Sequence, residues 1–393
     1  MTGKHPARLN MTVWREASFR KINDRKLIPP PSVPDLSRDE RSLARVLNEA
    51  GYVTIHLGKW HLGDADHSPE CHGFDVHLGG NHFGAVASHF FPYRGPTATE
   101  FRYVPHLEWG TPGEYLTDRL TDEAIRAVDR AGDRPFFLNL WHYTVHTPLQ
   151  APQELIQTHE QRRKAEYRHQ NATYAAMVKS LDDNIGRLLQ ALDDRKLAEN
   201  TVVIFTSDNG GYIAMRDGTN VTNNHPLRSG KGSLYEGGIR LPLIVRWPGA
   251  TPAGAECTQP VVSADLYPTL LEIAGVPASV PRSEPLDGIS LAPVLKNPAA
   301  KLDRDVLFWH YPSYYPTTTP VSAVRWGNWK LLEYYEDDHV ELYDLASDLA
   351  EASDRAESHP SEVARLRQRL NAWKAEVHAQ LPTRNPDYVS PPQ

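Results

Sequence analysis

The sequence predicts an α/β fold with a largely parallel sheet, followed by a small antiparallel sheet and a closing helix. Apolar runs at residues 52–57, 136–141, 201–206 and 243–247, the third of them β-branched, read as strands. Segments with helical apolar spacing fall between them, and this alternation is the pattern of a parallel sheet covered by helices. Beyond about residue 302 the texture changes to short aromatic runs at 306–345, which fit an antiparallel sheet.

Each element has its own warrant. Ser37 to Glu40 has the form of a capping box opening a helix, Leu43, Val46 and Leu47 make its stripe, and Gly51 ends it. Residues 64–113 are rich in Gly, Pro, His and aromatics and read as a long irregular excursion. A helix follows over about 116–131, broken by Arg134-Pro135. The continuous apolar run at 136–141 reads as a buried strand. Met177, Leu181, Ile185, Leu188 and Leu192 lie at helical spacing in a long helix over about 167–192. A further helix over 266–273 ends at Gly275, and Glu362 to His378 reads as the closing helix.

The chain of 393 residues is long enough for one large domain with an appendage, divided as 1–302 and 303–393. A net charge of −7 argues against nucleic acid but not against a small anion in a locally positive pocket. No apolar run of about 18 residues is present, so no spanning helix is expected. Cys71 and Cys257 lie in no metal or redox pattern and read as free thiols. The opening residues contain no apolar segment of the kind a signal peptide needs.

Four loops carry chemistry, all at strand ends, where sites gather in open α/β sheets. Gly58 to Gly63 brackets Lys59 and His61 with glycines, so a cation and an imidazole can approach one anion. Val145-His146-Thr147-Pro148 offers a lone imidazole, which in isolation is more often a packed or exposed loop residue than a functional one. Ser207-Asp208-Asn209-Gly210-Gly211 pairs two hard-oxygen ligands suited to Ca²⁺ or Mg²⁺. Asp-Asn-Gly is also ordinary turn chemistry. In Gly230-Lys231-Gly232 a lysine between glycines can reach an anion with little hindrance, although the order is not that of a P-loop. Together these groups suit an oxyanion ester held by cations and a divalent metal.

Gly51 to His61 resembles the second signature of the type I sulfatase family. Phe205 to Gly210 resembles that family's metal-binding strand end, Gly230 to Arg240 its third block, and Val145 to Pro148 a further one. The likeness continues to Glu341-Leu342-Tyr343-Asp344-Leu345. It implies an alkaline-phosphatase-like α/β fold with a smaller C-terminal antiparallel sheet, and the hydrolysis of aryl or carbohydrate sulfate esters. By matching position, Lys59 and Lys231 would bind sulfate oxygens. His61 would assist the nucleophile, and His146 would face the leaving oxygen as proton donor or hydrogen-bond partner. Asp208 and Asn209 would be two ligands of a Ca²⁺. Periplasmic or secreted localisation is implied for the full-length form.

The sequence departs from the family in two respects. The family's formylglycine arises in a Cys/Ser-x-Pro/Ala-x-Arg motif, and neither Cys71 nor Cys257 stands in one. The paired acidic ligands of the family's first strand are also missing, while Asp182-Asp183, Asp193-Asp194 and Asp337-Asp338 read as solvated surface. Met1 to Arg8 resembles the stretch just after the nucleophile motif. The expectation is therefore an N-terminally truncated chain that starts within a helix and has little or no activity of its own. Pocket walls are expected from loops 78–106 and 309–320, with Arg94, His310 and Tyr311 as candidates. The alternatives are a non-catalytic module that binds sulfated glycans, and a phosphatase or phosphodiesterase of the same superfamily.

Overall fold

The computed structural model describes residues 1–216, 218–277 and 280–389. The first long helix, α1, spans Leu43–Glu49. It starts later than the capping-box reading. Ser42 is the cap, its Oγ accepting from Arg45 N at 3.0 Å, whereas Ser37 Oγ accepts from Asp39 N in a local turn. The opening residues are also not helical as expected. Pro6–Met11 closes a turn, with Met11 N donating to Pro6 O at 3.0 Å, and the first helical turn is Arg15–Ser18.

Strand β1 (Val53–Gly58) is buried along its whole length. The excursion that follows is less irregular than its composition implies. It contains two 3₁₀ turns, a short strand β2 (Val76–Leu78) and a hairpin pairing Arg94–Pro96 with Phe101–Tyr103. β2 is too short to carry a periodicity, so sequence pattern misses it.

Helix α2 (Leu116–Ala131) leads to β3 (Phe136–Trp141). β2, β1 and β3 form a parallel sheet with β1 central, in register Ile55 to Val76 and Ile55 to Leu138. Side chains alternate across it. Val53, Ile55 and Leu57 join Phe136, Leu138 and Leu140 against Ala124, Ala127 and Ala131 of α2. On the opposite face Phe137 and Trp141 join Ala44 of α1, Trp60 and Phe74. Helices thus cover both faces, and each fully buried aliphatic side chain contributes roughly 1.5–3 kcal/mol. The expectation of a buried strand at 136–141 needs correction. All six residues are half-buried, because β3 lies at the edge of its sheet.

Helices α3 (Gln153–Arg162) and α4 (Ala172–Asp194) pack together. The long helix begins at Ala172 rather than near Tyr167, because Asn171 Oδ1 caps Tyr174 N at 2.9 Å. α3 shows no buried residue, and its weak apolar stripe explains why sequence pattern did not find it. β4 (Val203–Thr206) pairs antiparallel with β5 (Leu243–Arg246), forming a ribbon apart from the parallel sheet. Its outer face is open to solvent: Phe205 is 37% and Ile244 62% exposed. Helix α5 (Leu266–Ile273) packs Tyr267 and Leu271 on Leu43, Val46 and Leu47 of α1.

Strands β6 (Val306–Tyr311), β7 (Val321–Trp326), β8 (Trp329–Tyr334) and β9 (Val340–Asp344) form an antiparallel meander, as expected. Helix α6 (Pro360–Glu376) seats Leu366, Leu370 and Trp373 on Val306, Val324, Leu331 and Leu342. The other face, with Ala323, Leu332 and Tyr343, holds Leu234 and Tyr235, just beyond the Lys231 loop. Beneath that contact Lys330 Nζ lies 2.9 Å from both Glu236 Oε1 and Glu351 Oε1. The paired acidic residues 182–183, 193–194 and 337–338 lie at the surface. Among the described residues no helix is long and apolar enough to cross a membrane.

Candidate functional site: a cationic cleft at the strand ends

β1 ends where Gly58 takes φ +93°, and a Cβ there would lie 2.0 Å from Trp141 O. Only glycine permits that approach. Lys59 N then donates to Trp141 O at 2.7 Å, tying the loop to the end of β3. Trp60 turns inward and is buried, its Nε1 donating to His67 O at 2.9 Å. His61 N donates to Asn81 O at 2.9 Å, which braces the loop against the excursion. Its Nε2 lies 2.7 Å from Glu16 Oε2.

The second lysine arrives from the far side. Gly210 N donates to Gly238 O at 3.0 Å, and a Cβ on Gly210 would lie 1.8 Å from Gly237 O. Asn224 fastens this junction. Its Oδ1 accepts from Gly211 N at 2.9 Å, and its Nδ2 donates to Ser229 O at 2.9 Å. Lys231 N donates to Gly211 O at 3.1 Å, and Thr317 Oγ1 donates to Lys231 O at 2.8 Å.

Electrostatics tie the loops into one place. Burial lowers the pKa of the Lys59 ammonium, Asp208 opposes this, and Lys231 reinforces it. Lys231 is likewise lowered by burial and supported by Asp208. Burial pushes His146 down to about 3, with Lys231 and Lys59 acting in the same direction. His146 is therefore neutral at ordinary pH. Its Nδ1 lies 3.0 Å from Thr147 O, a carbonyl that can only accept, so Nδ1 carries the proton and Nε2 presents a lone pair. Among the described residues no carboxylate stands in salt-bridge contact with either half-buried lysine, so the two together form a ready receptor for an anion.

Asp208 and Asn209 stand at the end of β4 beside the lysines. Asp208 is exposed, and Asn209 Nδ2 donates to Gly210 O at 2.9 Å, which leaves Oδ1 for a ligand. Ca²⁺ takes six to eight oxygens. Among the described residues no group of three metal-ligating side chains includes Asp208. The pair is therefore a fraction of a Ca²⁺ shell rather than a complete one. Nor does either cysteine fit a nucleophile at this place. Cys71 sits in the 3₁₀ turn 69–72, with Ser68 Oγ at 3.8 Å from its sulfur, and Cys257 is exposed in a distant loop.

Among the outer candidates, His310 belongs to the packing of the C-terminal sheet. It is 6% exposed and bonded to Ser322 Oγ and Gln380 O. Tyr311 is on the same strand, and Arg94 lies on the exposed hairpin. The 309–320 segment does reach the site, because Tyr315 lies over Gly232. Sequence reasoning missed Glu16 and Asn224. Neither stands in a recognisable spacing, and both act only through distant partners.

Comparison with known proteins gives the family of the chain. Residues 1–276 match the sulfatase family, and residues 229–376 match the C-terminal region of N-sulphoglucosamine sulphohydrolase. The chain belongs to the sulfatase family. It is 38% identical over 292 residues to a sulfatase of Formosa agariphila, covering 68% of this chain and 52% of that protein. It is 30% identical over 349 residues to human N-acetylgalactosamine-6-sulfatase, covering 84% of this chain and 61% of that one. The crystal structure of Ps i-CgsB in complex with k-i-k-neocarrahexaose superposes with a TM-score of 0.76 at 29% identity, covering 99% of this chain and 82% of that one. The chain thus spans about half to three fifths of the length of these curated relatives.

Proposed function

We propose that the cleft binds the sulfate group of a sulfated carbohydrate within a sulfuric ester hydrolase. The observation that carries this reading is the convergence of Lys59, Lys231 and neutral His146 beside Asp208, from three different strand ends. Lys59 and Lys231 hold the sulfate oxygens. His61, oriented by Glu16, faces the group that attacks sulfur. His146 accepts a hydrogen bond from a sugar hydroxyl through its Nε2 lone pair, rather than donating a proton to the leaving oxygen. Asp208 and Asn209 supply two of the ligands of a Ca²⁺. Residues 303–393 act as a subdomain whose sheet props the Lys231 loop. A carbohydrate is favoured over a simple aryl group by the solved relative that binds a neocarrahexaose and by the N-acetylgalactosamine-6-sulfatase likeness. The proposed export of the protein, periplasmic or secreted, rests on family resemblance.

Calorimetry with galactose 6-sulfate, galactose 6-phosphate and galactose tests the reading. Binding of the sulfate ester that is lost in Lys59→Ala is expected. Binding unchanged in that variant, or preference for the phosphate ester, would overturn it. Turnover of an aryl sulfate by this chain is expected to be slight, because the sequence holds no nucleophile motif and the remaining groups bind and orient.

A further inference from the structure

Away from the cleft, three segments meet at Glu70, His77 and His106. One ligand atom from each lies within 4.8 Å of the other two. Glu70 is in the 3₁₀ turn 69–72, His77 is the middle residue of β2, and His106 precedes α2. The rings of His77 and His106 are 5.3 Å apart, edge to face.

His77 has an unusual pair of neighbours. Its Nε2 lies 2.7 Å from Gly80 O, and its Nδ1 lies 3.0 Å from Glu70 Oε1. Gly80 also turns its N–H on Nε2, at 3.2 Å. With the ring proton on Nε2 toward Gly80 O, Nδ1 points its lone pair beside the Glu70 carboxylate, a donor pair that a cation can take. The side chain of His77 is 4% exposed.

We propose that Glu70, His77 and His106 bind a divalent first-row transition metal of the Zn²⁺ class. Two imidazoles and one carboxylate are borderline donors that suit Zn²⁺ rather than the all-oxygen shells of Ca²⁺ or Mg²⁺. Three protein ligands leave a fourth position for water. The contact of Nε2 with Gly80 leaves Nδ1 as the nitrogen that faces the metal, an outer contact that orients a ligating histidine. Glu70 and His106 are exposed, so the ion has an entry path. The Asp35, Asp64 and His67 group does not compete. Arg15 already lies 2.6 Å from Asp35 and 3.2 Å from Asp64, supplying the cation. The metal fastens the base of the 79–106 excursion to the 3₁₀ turn, and that excursion braces His61 through Asn81.

The test is titration of untagged, chelator-treated chain with ZnCl₂ against a chromogenic chelator. One equivalent is expected to bind in the parent and in Asp64→Asn. His106→Ala and Glu70→Gln are expected to weaken it more than about tenfold with unchanged circular dichroism. The thermal midpoint of the parent should rise with Zn²⁺, and that of His106→Ala should not. No binding by folded parent, equal affinity in His106→Ala, or loss in Asp64→Asn instead would overturn the proposal.

Discussion

The imidazole Nε2 of His61 lies 2.7 Å from Glu16 Oε2, joining a strand-end loop to the single helical turn at 15–18. Burial pushes the Glu16 carboxyl up, but the bond to His61, its charge, and the Gly84 N–H outweigh it and leave the pKa at about 2. A carboxyl held below its ordinary 4.5 stabilises the fold above that pH and loses the contribution as pH falls toward about 2. Glu16→Gln is expected to cost about 2 kcal/mol at neutral pH, with the deficit shrinking through that window. Urea midpoints at pH 7 and pH 3 check it; an equal deficit at both would remove Glu16 as the titrating group.

In the proposed function Lys59 and Lys231 hold the anion. Truncating Lys59 to Ala is expected to weaken sulfate-ester binding about a hundredfold, some 3 kcal/mol. Both ammonium groups titrate below their ordinary 10.5 because of burial, so binding should decline at a lower pH than for a solvated lysine. Calorimetry from pH 7 to pH 10 reads the decline. A flat profile would mean that neither lysine carries the anion.

Lys330 is 0% exposed and paired with Glu236 and Glu351, themselves 3% and 0% exposed in their side chains. Burial raises the pKa of Glu351, and Lys330 opposes this. Lys330→Met leaves two carboxylates buried without a cation and is expected to cost roughly 3–5 kcal/mol. Adding Glu236→Gln and Glu351→Gln should recover part of the loss. Denaturant unfolding of the single and triple variants decides whether the cost is unpaired charge or lost packing.

Two glycines make opposite predictions. At Gly186, inside α4, an added methyl would meet nothing within 4 Å, so Gly186→Ala is expected to stabilise by about 0.5–1 kcal/mol. Gly58→Ala drives its Cβ into Trp141 O at 2.0 Å and should cost several times as much, with loss of sulfate binding. Thermal melts of both variants, with binding measured for the second, test the pair.

Much of the fold was legible because it rests on local pattern. α2, β3 and the four strands of the C-terminal meander fall where apolar period and length place them. The misses have local causes as well. Ser37 reads as the cap from its spacing to Glu40, but its hydroxyl closes a local turn with Asp39 N and Ser42 caps the helix instead. β2 was hidden because three residues carry no period, and α3 because it buries no side chain.

Contiguous motifs were enough to specify the family, the strand-end loops and the residue types in them. Folding in three dimensions was needed to bring Lys59 and Lys231 into one cleft and to pair β4 antiparallel with β5. It also set Glu16 against His61 and buried Lys330 between two glutamates. Charge and desolvation act through space, so a side chain's partners depend on which distant segments the packed core brings beside it.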